Sequence, residues 1–270
     1  MAFHHSWQAV FKPGKSDGYF LSDHPVAFNP HAKRFSPGNA WWFSELSRLI
    51  YKRDHTEGYQ SKRSRNDYLK RVGLFERHFW FRPNLQASLV ETSGNAHAPF
   101  AALVFRGTAG PLKNWLVNLN AIPCNWPAGG RVHRGFSRLI TVLWKEVDSV
   151  LSQVQNPLFF TGHSMGGAMA TLAASIRNPK AVYTFGAPRT GDVAFANSLA
   201  HVPVFNVFNS QDIVTGLPPG GRLLGFTHAG EEIINPCQPA SHRFLMDAPA
   251  FLAGHAPLNY SSHLPLAFDN

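Results

Sequence analysis

Apolar residues recur at helical spacing through Phe136, Ile140, Leu143, Val147, Val150 and Val154, which predicts an amphipathic helix of almost five turns closed by Asn156-Pro157. An earlier helix is expected to start at Asn39 as cap, with Trp42, Leu46, Leu49 and Ile50 on one face. Short runs rich in β-branched and aromatic residues predict strands at Leu85–Glu91, Phe100–Phe105, Leu158–Thr161, Ala181–Phe185, Val204–Phe208 and Glu231–Ile234, the first two joined by a turn at Ser93-Gly94-Asn95. The small-residue run Ala168–Ser175 and the segment Asp192–Leu199 read as helices, with Asp192 as a cap. Strands alternating with helices imply an α/β fold: a mostly parallel central sheet with helices on both faces.

The pattern is weaker before residue 85. Residues 1–38 are rich in Pro, Gly and His and read as an irregular arm, and 52–71 reads as a polar loop. The expected organisation is therefore one domain over 1–270, with 1–84 as an N-terminal arm and helix. A length of 270 residues with 44% hydrophobic residues suits one full core. The 22 Phe residues are read as core filling more than as a lipid-facing pocket.

No apolar run reaches the roughly 18 residues of a membrane span, so no transmembrane segment is expected. Met1–Phe20 lacks the basic and apolar pattern of a secretory signal. A cytoplasmic location follows, or a secreted one if a leader lies outside this sequence. The two cysteines, Cys124 and Cys237, do not make a disulfide framework. No clustered Cys/His spacing points to a metal, and no cofactor is expected.

The net charge of +9 gathers at Arg48, Lys52, Arg53, Lys62, Arg63, Arg65, Lys70, Arg71 and Arg77. This stretch is read as a solvated basic face, suited to peripheral contact with an anionic lipid interface. Without zinc spacing or an RNP-type aromatic pattern, nucleic acid is not an expected partner.

Candidate chemistry centres on Gly162-His163-Ser164-Met165-Gly166, a G-x-S-x-G sequence between a predicted strand and a predicted helix. The turn needs glycine two residues either side of the serine, where a side chain would strike neighbouring backbone. The following helix turns its free N–H groups toward the site, where they favour an oxyanion. A serine hydroxyl needs a base, and the base an acid to fix its tautomer. Asp212 stands just past the strand Val204–Phe208, where catalytic groups of parallel sheets gather. His255, in a late loop before a short C-terminal helix, is the preferred base; His242 and His263 stay open, and His228 reads as structural.

The chain resembles the class 3, fungal-type lipases of the α/β-hydrolases. The resemblance rests on Thr161–Ala168, Val104-Phe105-Arg106-Gly107-Thr108, Asn114-Trp115-Leu116, Val132–Phe136, Thr184–Arg189, Asp212-Ile213-Val214 with Leu217-Pro218-Pro219, and His228–Glu232, in order over about residues 85–260. It implies Ser164, Asp212 and His255 as a catalytic triad, with Thr108 and the Met165 N–H as oxyanion donors. It also implies a serine ester hydrolase acting on acylglycerols; phospholipases and feruloyl esterases are related, and a non-catalytic lipid- or partner-binding protein is the rival class. The family often has Asp before the catalytic histidine, where this chain has Gly254. Its lid follows the oxyanion residue, making 109–118 the candidate lid.

Overall fold

The computed structural model describes residues 4–15, 18–22, 26–53, 63–94, 97–108, 121–220, 225–235 and 247–267. The candidate lid, the Asn114-Trp115-Leu116 match, Cys237 and His242 lie outside the described residues.

A seven-stranded sheet organises the molecule. Its strands, in chain order, are β1 (Leu74–Arg82), β2 (Leu85–Thr92), β3 (Ala101–Phe105), then β6 (Leu158–His163), β7 (Ala181–Phe185), β9 (Val204–Asn209) and β11 (Glu231–Asn235), and they lie side by side in that same order. From β3 onward every pairing is parallel; β1–β2 and β2–β3 are antiparallel. Four short strands form a second sheet: β4 (Pro123–Asn125), β5 (Arg131–His133), β8 (Gly191–Asp192) and β10 (Phe226–Thr227).

Alternating strand residues feed two cores, one on each face. Leu103, Phe105 and Phe160 point to the face covered by α4 (Arg134–Leu151) and α5 (Met165–Ala174). Ala102, Val104 and Phe159 point to the other, covered by α2 (Pro37–Leu49) and by the C-terminal helix Pro257–Ala267, which contributes Tyr260 and Leu264. Phe28, Phe43, Phe100, Phe159, Phe205 and Tyr183 contact one another on this second face, so many of the phenylalanines are core filling.

Several expectations need correction. Ser36, not Asn39, caps α2: its hydroxyl accepts from the Asn39 N–H, and Pro37 takes the first turn, where its missing N–H costs nothing. Asn39 is buried instead and holds the backbone of Asn29 through two hydrogen bonds of 2.8 Å. The predicted helix ends at Leu151, before Asn156-Pro157, although Val154 still packs on the core. Residues 1–84 are more than an arm and one helix. They include α1 (Trp7–Phe11), α3 (Arg65–Arg71) and strand β1, so 52–71 is not all loop.

Nor is the basic stretch one solvated face. Arg48 and Arg65 are 2% and 1% exposed. Arg48 pairs with Glu45 at 2.7 Å and Arg65 with Glu76 at 2.8 Å, while Ser88 also donates to Glu76. Lys52 is buried as well. No described helix is long and apolar enough to cross a membrane.

Candidate active site

Strand β6 runs straight into the turn that carries Ser164. Ser164 has φ +58° and ψ −131°, a left-handed conformation that costs an L-residue about 1–3 kcal/mol. The flanking glycines make the turn fit. A Cβ on Gly162 would lie 2.3 Å from the Gly166 carbonyl carbon, and one on Gly166 would lie 2.1 Å from the Phe105 oxygen. The small residues of α5 thus bring its N-terminus hard against the end of β3. Met165 is the first residue of that helix, so its N–H has no intrahelical partner.

Two loops at the same end of the sheet reach Ser164. His255 Nε2 lies 2.9 Å from Ser164 Oγ, and His255 Nδ1 lies 2.8 Å from Asp212 Oδ2. Asp212 follows β9 and His255 precedes the C-terminal helix, so the structure brings together all three residues singled out from the sequence. A carboxylate only accepts, so Nδ1 carries the hydrogen and the Nε2 lone pair faces the serine hydroxyl. Asp212 is held from two further sides. The Tyr260 hydroxyl donates to Oδ2 at 2.7 Å, and the Val214 N–H donates to Oδ1 at 2.9 Å. Ser164, Asp212 and His255 are all buried.

The packing accounts for the glycine before the base. A Cβ on Gly254 would lie 2.9 Å from the Gln211 carbonyl carbon and 3.0 Å from the Asp212 nitrogen. The backbone carrying the base lies directly against the backbone carrying the acid.

Thr108 and Met165 meet at the site: Thr108 Oγ1 lies 3.7 Å from the Met165 sulfur, a weak acceptor that leaves the hydroxyl easily redirected. Thr108 follows Gly107, where a Cβ would lie 3.1 Å from Ser164 Cβ.

The other candidates stand elsewhere. Asp192 caps the helix Val193–Ser198 through the Phe195 N–H. His228 donates to the Thr215 carbonyl at 2.9 Å, and burial lowers its pKa. His263 Nδ1 faces the Asn259 carbonyl at 2.9 Å. Three residues at the site have no role assigned from sequence: Tyr260, Tyr51 and His163. Among the described residues, no group of three or more His, Cys, Asp or Glu side chains is placed to hold a metal ion.

The order and direction of the strands, the strained serine between strand and helix, and the acid and histidine delivered by later loops define an α/β-hydrolase fold. The family model for lipase (class 3) matches residues 102–221. The chain is 38% identical to a lipase of Rhizomucor miehei over 148 residues, covering 48% of this chain and 40% of that protein. It is 34% identical to secreted mono- and diacylglycerol lipase 1 of Fusarium solani, covering 45% of this chain and 40% of that one. The solved structure of Rhizomucor miehei triacylglyceride lipase is similar with a TM-score of 0.53 and 31% identity, over 60% of this chain and 67% of that chain. This chain belongs to the class 3 lipase family. Its alignments span about two fifths of the length of these curated relatives.

Proposed function

We propose that this protein is a serine carboxylic-ester hydrolase that cleaves acylglycerols through an acyl-enzyme on Ser164. The observation that carries the reading is the unbroken hydrogen-bonded line from Asp212 through His255 to Ser164 Oγ.

In this mechanism His255 Nε2 takes the proton as Ser164 Oγ attacks the ester carbonyl carbon. Asp212 stabilises the imidazolium that forms. The carbonyl oxygen becomes an oxyanion held by the Met165 N–H and by Thr108, turned away from the sulfur it now faces; one such donor is typically worth about 3 kcal/mol. The carbonyl re-forms, the carbon–oxygen bond to the alcohol breaks, and His255 gives that alcohol its proton. Water then repeats the sequence on the acyl-enzyme, releasing the acid and restoring Ser164.

The substrate class rests on family membership and on relatives named as lipases and as mono- and diacylglycerol lipases. Secretion is the location in keeping with a relative named as secreted, and the cytoplasmic alternative has no support among these relatives. Peripheral contact with a lipid interface would draw on the basic residues that are not buried, Arg53, Arg63, Lys70, Arg71 and Arg77, and its attraction would be screened by salt.

Hydrolysis of p-nitrophenyl esters of increasing chain length, beside mono-, di- and triacylglycerols, phospholipids and feruloyl esters, tests the reading. Preference for acylglycerols supports it. Faster turnover of phospholipid or feruloyl ester would move the substrate class, and no turnover of any ester would favour a binding protein.

A further inference from the structure

A second hydrogen-bonded line reaches the base through residues that the mechanism above does not use. His163, the residue before Ser164, is buried. Its Nε2 lies 2.7 Å from the carbonyl oxygen of His255, and its Nδ1 lies 3.0 Å from the Tyr51 phenol oxygen. A carbonyl oxygen only accepts, so Nε2 carries the hydrogen. In a neutral ring Nδ1 then accepts, and the Tyr51 hydroxyl donates to it. The same phenol oxygen packs against the backbone of Gly107. The approach there is close enough that a Cβ on Gly107 would lie 2.0 Å from the Tyr51 oxygen. Both hydrogen bonds therefore have one direction: Tyr51 O–H to His163 Nδ1, and His163 Nε2–H to the His255 carbonyl.

We propose that Tyr51 and His163 are positioning residues for the hydrolysis, a buried strut that fixes the backbone of His255 relative to the strand end leading to Thr108. The inference rests on the hydrolytic reading above. Four separate segments meet in the strut. Tyr51 follows α2, Gly107 follows β3, His163 ends β6, and His255 precedes the C-terminal helix. The strut joins the two sides of the reaction: Tyr51, packed against the Gly107 that leads to the oxyanion residue, and the backbone of the base itself. Ser164 lies between them and is covalently next to His163. An apolar pair would fill the same space without the cost of burying polar groups. A polar line with each donor matched to one acceptor instead sets distances, as oxyanion catalysis demands of its donors.

The strut also remains uncharged where charge would harm. Burial and the neighbouring His255 both hold the His163 pKa well below the usual histidine value, and burial raises that of Tyr51. The groups facing the two rings are His255, at a centroid distance of 4.6 Å from His163, Tyr260 at 5.7 Å, and Arg106, whose charge acts on Tyr51. When His255 becomes imidazolium, it meets a neutral neighbour rather than a second cation.

The test compares Tyr51→Phe, His163→Gln and His163→Asn with wild type and with Ser164→Ala, using p-nitrophenyl butyrate. Tyr183→Phe serves as control, since it removes the hydroxyl of another buried tyrosine outside the strut. Tyr51→Phe should lower kcat about tenfold, the effect of one hydrogen bond lost in the transition state, with KM within about twofold. Its thermal midpoint should match that of Tyr183→Phe, which keeps wild-type kcat. His163→Gln, whose amide N–H₂ reaches the place of Nε2, should retain more activity than His163→Asn, which reaches only Tyr51. Histidine ¹⁵N spectra of the wild type should show His163 neutral with the hydrogen on Nε2. Unchanged kcat in Tyr51→Phe, a reversed order of the Gln and Asn variants, or a hydrogen on Nδ1 would overturn the proposal. If Tyr51→Phe does not fold, the Gln and Asn order and the wild-type tautomer decide. An inactive wild type, or an active Ser164→Ala, would instead sink the hydrolytic reading.

Discussion

Asp212 is the residue on which the geometry of the base depends. Its carboxylate accepts from His255, from Tyr260 and from the Val214 amide, so removing its charge leaves three donors aimed at an altered group. Asp212→Asn should preserve the fold but present an amide N–H₂ to Nδ1, favouring the tautomer that faces Ser164 with a hydrogen instead of a lone pair. Loss of kcat by about four orders of magnitude is expected, as for the equivalent change in other triads. Retention of about a tenth or more of the activity would remove Asp212 from the proposed role. Ser164, Asp212 and His255 were legible as candidates because short patterns flank them: glycines around the serine, a strand end before the acid, a late loop for the base. Tyr51 had no such signal, and His163, although inside the serine pattern, occupies a position the pattern leaves open. They meet across a separation of 112 residues, and only the folded chain puts them in contact.

At the scale of elements, legibility followed regular periodicity. The long run from Phe136 declared its helix, and the apolar parallel strands declared themselves. Strand β1 did not, because Leu74–Arg82 mixes Arg, Glu and His with aromatics and carries an irregularity in register between Glu76 and His78. That shift breaks the alternation a strand is read from. The same segment explains why the basic stretch misled. Glu76, on β1, takes the charge of Arg65 in the interior, a pairing that no local pattern announces. Arg65→Ala should therefore be costly, leaving a buried carboxylate with a lost partner: about 3–5 kcal/mol in a urea unfolding titration. A change below about 1 kcal/mol, the level of an exposed ion pair, would contradict the interior pairing. Asn259 is a second structural element of this kind. It is fully buried, accepts from the His4 N–H, and donates to the His4 and Ala253 carbonyls, tying the N-terminal arm to the segment that carries His255. Asn259→Ala should lower stability by about 2–3 kcal/mol, read by the same titration, since buried partners are left unsatisfied. An unchanged unfolding midpoint would show the clasp to be unimportant.

The whole molecule should be sensitive to acid through its buried histidines. His133 caps α4 with its Nδ1, which accepts from the Gly135 and Phe136 amides, and burial lowers its pKa from 6.5 to about 4. His163 is also lowered, by burial and by His255. These rings stay neutral in the folded protein, whereas the unfolded chain takes up protons once the pH drops below about 6.5. Their contribution to stability is therefore full above pH 6.5 and declines as the pH falls toward 4, where His133 protonates in the folded state too. His133→Asn, which can cap without titrating, should flatten part of that decline in urea unfolding across this range. An equally steep decline in the variant would remove His133 as a source. The central claim concerns what this assembled molecule does, and it is tested most directly by ester turnover of wild type and Ser164→Ala side by side. The account predicts an active wild type and a folded variant whose kcat is lower by about five to six orders of magnitude, with a serine-directed phosphonate adding its mass to the peptide that contains Ser164. Substantial turnover by Ser164→Ala, or phosphonate attached at another serine, would contradict it.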